Sequence, residues 1–366
     1  MVIARRSPLR LSGHRDVIEL RGSPRDQGRA HGALARDGIA ANVVTVRGAL
    51  AEMARRGRRY DQDAILSQNE RFIQAAAPEV LDEIRGIAEG AGLPYRDVLA
   101  LNAPVFVVAT HLPLECTQIL LRPPATRGGE TYVAKTRDLR DILAQVVLHR
   151  RYPDGRELAE VNAAGSVTWP GSGVNNDGVA FGTSGTWSKR TVVEVERAAA
   201  GWLLVNGHVP LRDSRSLDEF AARLAAQPRV TPVNIVAGDA TGGAALEVTV
   251  ERVYRTNAAD GAVVLTNHYV TPEIRHLGPT PDENASSYGR YEFATQRIQA
   301  ERGTWTRGAL QRLLADHGGA PQRAICRHQD AGAGADTVYA SIATLPSGEF
   351  WTTLDHPCAA PASEEP

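Results

Sequence analysis

The chain has 366 residues, of which 43% are apolar and 23% charged, enough to bury one large core or two smaller ones. Acidic and basic residues are mixed along its length and the net charge is −1, so no sustained basic face is available for a nucleic acid. No apolar run approaches the about 20 residues that span a bilayer, and no secretory signal opens the chain. We expect a cytoplasmic globular protein that acts on a small molecule or peptide, with no nucleic-acid or membrane partner.

The first third of the chain has the apolar spacing of helices. The spacing predicts helices over residues 32–53, 64–91 and 95–102. The apolar segment 105–114 then leads to Cys116, and Pro113 favours an extended approach. This part reads as a helical region that ends near Cys116.

From Cys116 onward, short β-branched and apolar runs between turn residues predict strands, beginning with CTQILL at 116–121 and YVAKTRD at 132–138. A turn at 176–178 predicts a hairpin whose outgoing strand is GVAFGTS. Helices are expected over 216–227, with a capping box at Ser216 and Glu219, and over 287–302. Strands and helices in blocks favour layered sheets covered by helices.

Cys116 is the first candidate for chemistry. A free cysteine is more often a small buried apolar residue, but here a strand begins at Cys116 after a helical segment. A cysteine at a newly made N-terminus carries its own base, because an α-amine has a pKa of about 7.7–8.0. A papain-like site with His111 as the base is an alternative, although the spacing fits no such signature.

Metal and cofactor chemistry are not expected. The three cysteines are too few and too scattered in sequence for a disulfide framework or a zinc cluster, so Cys326 and Cys358 are interpreted as structural. His268, Glu273 and His276 lie close in sequence, but Pro272 interrupts any helix that would align them. The sequence therefore predicts no metal and no cofactor.

Several short segments occur in an order that is similar to a known family. They are LRGSPRDQGRAHG (20–32), IRGIAEGAGLPYRDVLALN (84–102), CT (116–117), YVAKTRD (132–138), PGSGVNNDGVAF (170–181), LTNHY (265–269), SSYGRYEFA (286–294) and ICRH (325–328). Together the chain resembles the penicillin acyltransferase-like family, that of acyl-coenzyme A:6-aminopenicillanic acid acyltransferase. This is a family of N-terminal-nucleophile cysteine hydrolases, more distantly related to bile-salt hydrolases and penicillin V acylases.

The resemblance implies an α+β fold, a four-layer αββα sandwich with a helical N-terminal pro-segment. It implies self-cleavage between Glu115 and Cys116, which divides the chain into residues 1–115 and 116–366. The two fragments are expected to stay associated. The implied reaction attacks a small-molecule amide or acyl thioester and passes through an acyl-enzyme at Cys116.

Position by position, the resemblance gives four residues a catalytic role. Cys116 matches the nucleophile and Asp138 the aspartate that orients the new α-amine. Asn267 matches an oxyanion donor, and Arg290 an arginine near the nucleophile. Without the resemblance, Asp138 would be interpreted as a surface turn residue, Asn267 as a strand-end cap and Arg290 as a solvated helix residue.

Supporting roles are implied for four more residues. Lys135, one of two lysines in the chain, stands where bile-salt hydrolases carry an arginine, so a lesser electrostatic role is expected. Thr117, Ser184 and Ser287 are expected to bind substrate or to support the site.

The chain departs from the family pattern at three places. Glu115 stands where relatives have glycine before the cysteine, and Gln118 where they have a small residue. Residues 183–185 replace a second oxyanion asparagine. These departures keep open an unprocessed, non-catalytic binding relative, and an acyl-coenzyme A-dependent N-acyltransferase is a further alternative. The stretch AGAGADT (331–337) has no basic residue for an acceptor carboxylate, which favours hydrolysis over transfer.

Overall fold

The computed structural model describes residues 6–14, 16–55, 61–103, 115–140, 143–186, 201–202 and 206–360. The predicted segment 105–114, with Pro113 and His111, lies outside the described residues. In the described part of the chain, no helix is long and apolar enough to cross a membrane. The cytoplasmic location stays a prediction.

Two β-sheets form the centre of the fold. Their strands are β1 (Arg10–Gly13), β2 (Val17–Arg21), β3 (Glu115–Leu121), β4 (Thr131–Leu139), β5 (Gln145–Arg151), β6 (Glu157–Ala163), β7 (Ser172–Asn175), β8 (Ala180–Gly185), β9 (Val233–Gly238), β10 (Gly243–Val248), β11 (Val253–Asn257), β12 (Ala262–Leu265), β13 (Asp336–Leu345) and β14 (Glu349–Thr353). One sheet has the order β1-β14-β13-β4-β3-β12 and the other β11-β10-β9-β8-β7-β6-β5-β2.

Helices cover both outer faces. They are α1 (Pro24–Leu34), α2 (Arg36–Arg55), α3 (Gln62–Ala76), α4 (Pro78–Ala91), α5 (Tyr95–Asn102), α6 (His208–Asp213), α7 (Leu217–Ala226), α8 (Ala285–Ala300) and α9 (Arg307–Leu314). Apolar side chains of α2–α5 and of α6–α7 form two clusters at the eight-stranded sheet, and those of α8–α9 pack on the six-stranded sheet. A further core lies between the sheets. The α+β fold with two sheets is confirmed, in the expected four layers.

Most predicted elements are confirmed, with shifted ends. The 95–102 helix is α5, while the predicted 64–91 helix is divided at Ala77 into α3 and α4. Ser216 caps α7, since its Oγ accepts a hydrogen bond from the backbone N–H of Glu219. Gly178, with φ of 89°, closes the predicted hairpin between β7 and β8.

The N-terminal region contains two strands that the helical pattern did not predict. β1 pairs in parallel with β14, and β2 pairs in parallel with β5, so each strand forms an edge of a different sheet. Residues before Cys116 are therefore part of both sheets. The division into residues 1–115 and 116–366 stays a prediction.

Helices α1 and α4 approach each other unusually closely. A Cβ atom added at Gly28 would lie 2.1 Å from the carbonyl oxygen of Glu83, and one at Gly86 would lie 2.2 Å from that of Arg25. These are backbone atoms that cannot rotate away, so only glycine permits this contact.

Candidate active site

Cys116 faces the space between the two sheets. It is the second residue of β3 and pairs with Arg137 of β4, while Leu120, on the same face of β3, belongs to the core between the sheets. Its exposed fraction is 2%. In the uncut chain the thiol is therefore closed to a large substrate.

Lys135 lies directly beside the thiol. Its Nζ is 3.4 Å from Cys116 Sγ, and it also donates to the carbonyl oxygen of Thr183. Burial lowers the pKa of Lys135 to about 8, partly offset by its interaction with Cys116. A lysine with this pKa is partly neutral near neutral pH, so it can accept a proton as well as stabilise a thiolate.

Asn267 meets Cys116 because β12 pairs antiparallel with β3 and ends two residues earlier. Its Oδ1 accepts a hydrogen bond from the backbone N of Cys116 at 3.0 Å, and its Nδ2 donates to the carbonyl oxygen of Gly185 at 2.7 Å. Ser287 fixes the backbone here, since its Oγ accepts from Asn267 N at 2.8 Å. The carbonyl of Gly185 defines which end of the amide faces Cys116.

The guanidinium of Arg290, in α8, contacts the carbonyl of Cys116 and the side chains of the residues before and after it. The guanidinium donates to the carbonyl oxygen of Cys116, to Thr117 Oγ1 at 3.0 Å and to Asn267 Oδ1 at 2.9 Å. Its Nη2 also lies 3.1 Å from Glu115 Oε2. The side chain is fully buried, so these fixed donors position the backbone at the predicted cleavage point.

Three side chains bind the carboxylate of Glu115. Besides Arg290, it contacts Arg327 Nη1 and accepts from Ser286 Oγ at 2.6 Å. Neither Arg327 nor Ser286 was predicted as a site residue, although both lie in segments that carry the resemblance, ICRH and SSYGRYEFA. Glu115 is thus held by charge, where relatives have a glycine.

Asp138 lies opposite Glu115 in the register of β3 and β4. Its Oδ1 accepts from Thr337 Oγ1 at 2.7 Å, but Oδ2 is buried and has no hydrogen-bond partner among the described residues. Burial raises the pKa of Asp138 to about 6, against the opposing effects of Arg290 and Thr337. A buried carboxylate oxygen without a donor is costly, and it is an open acceptor beside the Cys116 strand.

Ser184 belongs to a neighbouring network and makes no described hydrogen bond to Cys116. Its Oγ donates to the carbonyl oxygen of Thr266 at 2.7 Å and accepts from Gln118 Nε2 at 2.5 Å. Gln118 also accepts from Val236 N at 2.9 Å, so it joins β3 to β9 in the other sheet. The hydroxyl of Ser184 therefore already donates one hydrogen bond and accepts another in the uncut chain. Gln118 connects the two sheets.

His268 lies beside the Cys116 site, whereas Cys326 and Cys358 lie together elsewhere. His268 stacks on Tyr288, with ring centroids 3.8 Å apart, and its Nδ1 lies 2.8 Å from Ser287 Oγ, so it supports the Asn267 segment. That Cys326 and Cys358 form no zinc cluster stays a prediction. The fold brings these two side chains together, although they are far apart in sequence.

The groups around Cys116 indicate one class of chemistry. A buried thiol beside a lysine of lowered pKa, with amide and guanidinium groups on its backbone, suits nucleophilic attack on a carbonyl carbon. Residues 125–359 match the family model "acyl-coenzyme A:6-aminopenicillanic acid acyl-transferase". This match covers more than half of the chain, so the chain belongs to that family. It is an enzyme that acts on amide bonds or transfers acyl groups.

Solved structures with low identity are also similar to this chain. A mutant of the conjugated bile acid hydrolase from Clostridium perfringens has 13% identity and a TM-score of 0.45, covering 65% of this chain and 89% of that one. Penicillin V acylase from Agrobacterium tumefaciens has 14% identity and a TM-score of 0.40, covering 62% and 79%. Among curated proteins, no match was found.

Proposed function

We propose that the chain cuts itself between Glu115 and Cys116 and then hydrolyses a small N-acyl compound through an acyl-enzyme at Cys116. The observation that carries this proposal is the set of contacts around the Glu115–Cys116 peptide bond. Arg290 contacts Glu115 and the carbonyl of Cys116, Asn267 accepts from Cys116 N, and Lys135 lies beside the thiol.

Self-cleavage requires a base other than the α-amine, because the Cys116 nitrogen is still an amide in the uncut chain. Lys135 Nζ, 3.4 Å from Sγ, is the base in this proposal. The thiolate attacks the Glu115 carbonyl carbon, the C–N bond breaks, and the proton on Lys135 passes to the leaving nitrogen. Water then hydrolyses the thioester, which leaves a carboxylate on Glu115 and a free thiol and amine on Cys116.

Turnover then uses the new amine. It takes the thiol proton, and the open Oδ2 of Asp138 accepts a hydrogen bond from the ammonium that forms. The Cys116 thiolate attacks the substrate carbonyl, and Asn267 Nδ2 turns from Gly185 to the developing oxyanion. The ammonium gives its proton to the leaving nitrogen of the substrate as the C–N bond breaks, which leaves the acyl-enzyme. Water then hydrolyses the thioester, releasing the free acid and restoring the Cys116 thiol.

The two fragments stay associated in this proposal. β1 and β2 each pair with strands that follow Cys116, and Arg150 of β5 is buried against Glu83 of α4 at 2.5 Å. Cutting one peptide bond at the end of the region leaves all of these contacts in place.

The test of self-cleavage is the mass of the purified chain under denaturing conditions. Wild type should give fragments of 115 and 251 residues, and Cys116→Ala should remain whole. Thr304→Ala is the control, because it removes an exposed hydroxyl outside this site and should be cut normally. An active wild-type chain that stays in one piece contradicts the proposal.

The role of Lys135 has a separate test. Cleavage of freshly refolded chain should accelerate as the pH rises through about 8, where Lys135 loses its proton, and then level off. Lys135→Met should cleave about 10²-fold more slowly or worse, with the pH dependence gone. An unchanged pH profile in Lys135→Met would assign the base elsewhere.

Hydrolysis is proposed over transfer, although the family description names a transferase. The 331–337 stretch has no basic residue, and the nearby Arg327 already contacts Glu115 and the carbonyl of Ala333. The measurement is product partitioning: one acyl donor is supplied with a range of amines, and free acid is compared with new amide. A large excess of amide at millimolar amine would instead establish the acyltransferase, including one that uses an acyl-coenzyme A donor.

A further inference from the structure

Two thiols and two imidazoles meet at one point near the end of the described chain. Cys326 and His328 lie in the ICRH segment, His317 follows α9, and Cys358 lies in a short 3-10 helix at Pro357–Ala359. Each offers one ligand atom, and these four atoms all lie within 4.8 Å of one another. Three separate pieces of chain therefore contribute to one cluster.

The distances in this cluster fit a tetrahedral metal ion. Nε2 of His328 lies 3.5 Å from Cys326 Sγ and 3.4 Å from Cys358 Sγ. Zinc–sulfur bonds of about 2.3 Å and zinc–nitrogen bonds of about 2.0–2.1 Å, at a tetrahedral angle, place sulfur and nitrogen about 3.6 Å apart. The thiols and the imidazole are thus already spaced as ligands around a common centre.

The donor set selects the ion. Two cysteine sulfurs and two histidine nitrogens form a common ligand set of structural zinc sites, whereas calcium and magnesium prefer oxygen ligands. Cys326 is buried, but His317 and Cys358 are exposed, so an ion can enter from solvent. A disulfide between Cys326 and Cys358 would use the sulfurs without explaining the two imidazoles.

Further contacts orient the histidines. His356 stacks on His328, with ring centroids 4.0 Å apart and the ring planes at 7°, and its Nε2 lies 3.2 Å from Asp336 Oδ1. The same carboxylate oxygen accepts from the backbone N of Gln329 at 2.9 Å. The stack fixes the plane of the His328 ring, and Asp336 holds His356 in its stacked position.

We propose that His317, Cys326, His328 and Cys358 bind one zinc ion, which joins the loop after α9, the ICRH segment and the C-terminal 3-10 helix. This site is separate from Cys116. Arg327, between two of the ligands in sequence, contacts Glu115 and so connects the two sites in space. The ion thereby stabilises the segment that presents Arg327.

The experiment uses the full chain, purified anaerobically with its thiols reduced. Zinc measured by mass spectrometry should reach one equivalent per chain. After removal of zinc with a chelator, Co²⁺ should give the thiolate charge-transfer absorption and intense visible bands of a tetrahedral sulfur–nitrogen site. His317→Ala and Cys358→Ser change exposed ligands, so both should fold. Loss of a ligand should weaken Co²⁺ binding by about 100-fold or more.

Two matched variants separate this site from the catalytic one. Cys116→Ala should stay uncut and still bind one Co²⁺, so failure of self-cleavage does not affect this test. His276→Ala removes an exposed histidine outside the cluster and should bind as wild type. The zinc site is overturned if reduced protein gives no metal-dependent absorption, or if His317→Ala and Cys358→Ser bind Co²⁺ as tightly as wild type. A Cys326–Cys358 disulfide in the anaerobic protein would overturn it as well.

Discussion

Two groups of charged side chains are buried in this fold, and they differ in how well their charges are matched. The Arg150 cluster, made of Gln27, Glu83, Arg150, Glu160 and His208, lies between the eight-stranded sheet and the N-terminal helices. The Cys116 cluster is made of Cys116, Lys135, Asp138, Asn267 and Arg290. Both clusters are nearly inaccessible to water.

In the Arg150 cluster, opposite charges meet directly. Arg150 lies 2.5 Å from Glu83 and 2.8 Å from Glu160, and His208 Nδ1 lies 2.9 Å from Glu160 Oε1. Burial alone would raise the pKa of Glu160, but His208 and Arg150 hold it below its usual value. Both carboxylates contact Arg150 directly, although Arg150 Nη2 has no hydrogen-bond partner among the described residues.

In the Cys116 cluster, burial dominates. It lowers the pKa of Lys135 to about 8 and raises that of Asp138 to about 6, so both groups are less stable in their charged forms than in water. Compensated charges join parts of a fold, whereas uncompensated ones are poised to exchange protons. The difference supports the proposal that the Cys116 cluster is the reactive one and the Arg150 cluster is structural.

The largest effect is expected from Arg150→Leu, which leaves Glu83 and Glu160 buried without their partner. Removing one member of a buried ion pair costs about 3–5 kcal/mol. Urea unfolding of the uncut Cys116→Ala chain measures this loss. Arg151→Leu is the control, because Arg151 pairs with Glu19 at the surface and should cost less than about 1 kcal/mol. Equal losses in the two variants would remove the structural role given to the Arg150 cluster.

Asn267→Ala should lower kcat by about 10²–10³-fold with little change in KM, as expected for one oxyanion donor. Asn175→Ala is the comparison. Asn175 donates to the carbonyls of Leu211 and Ser214, outside the Cys116 cluster, so this variant should lose stability and keep the kcat of its folded fraction. Wild-type kcat in processed Asn267→Ala would contradict the assignment.

The residues of the Cys116 cluster could be predicted because each lies in a segment that carries the family resemblance. The structure brings Cys116, Lys135, Asn267 and Arg290 into direct contact, while their roles remain predictions. The partners of Glu115 could not be found this way. Arg327 is 212 positions from Glu115, and no local pattern specifies which distant guanidinium will meet a carboxylate.

Other features were missed for the same physical reason. The edge strands β1 and β2 are short and only partly buried, so they lack the apolar alternation that predicts a strand. The thiols of Cys326 and Cys358 are separated along the chain, and only the packing of the C-terminal 3-10 helix brings them together. Local periodicity predicts elements well, but it does not predict which elements become neighbours.

Asp138 can be tested through the pH dependence of the free energy of unfolding. Its folded pKa of about 6 lies above its ordinary value of 3.8, so the folded chain holds a proton that the unfolded chain releases between these values. Uncut Cys116→Ala should therefore lose about 3 kcal/mol from this group as the pH rises from about 4 to 6. Asp138→Asn in the same chain should lack this loss, which paired unfolding curves would reveal. Parallel curves for the two proteins would mean that Asp138 is ionised as easily as in water.

The smallest effect concerns two neighbouring serines of α8. Ser287 accepts from the backbone N of Asn267, while Ser286 donates to the carboxylate of Glu115. Ser287→Ala leaves a buried N–H without its partner, at a cost of about 1–3 kcal/mol, and lets Asn267 move. Since about 1.4 kcal/mol at the transition state is tenfold in rate, kcat should fall about tenfold with KM nearly unchanged.

Ser286→Ala should instead slow self-cleavage, because Ser286 holds the carboxylate of Glu115. The two variants are compared by the rate of fragment formation and by the kcat of fully cut enzyme. The same effect of both serines on both rates would show that α8 acts as one rigid support rather than through two separate contacts.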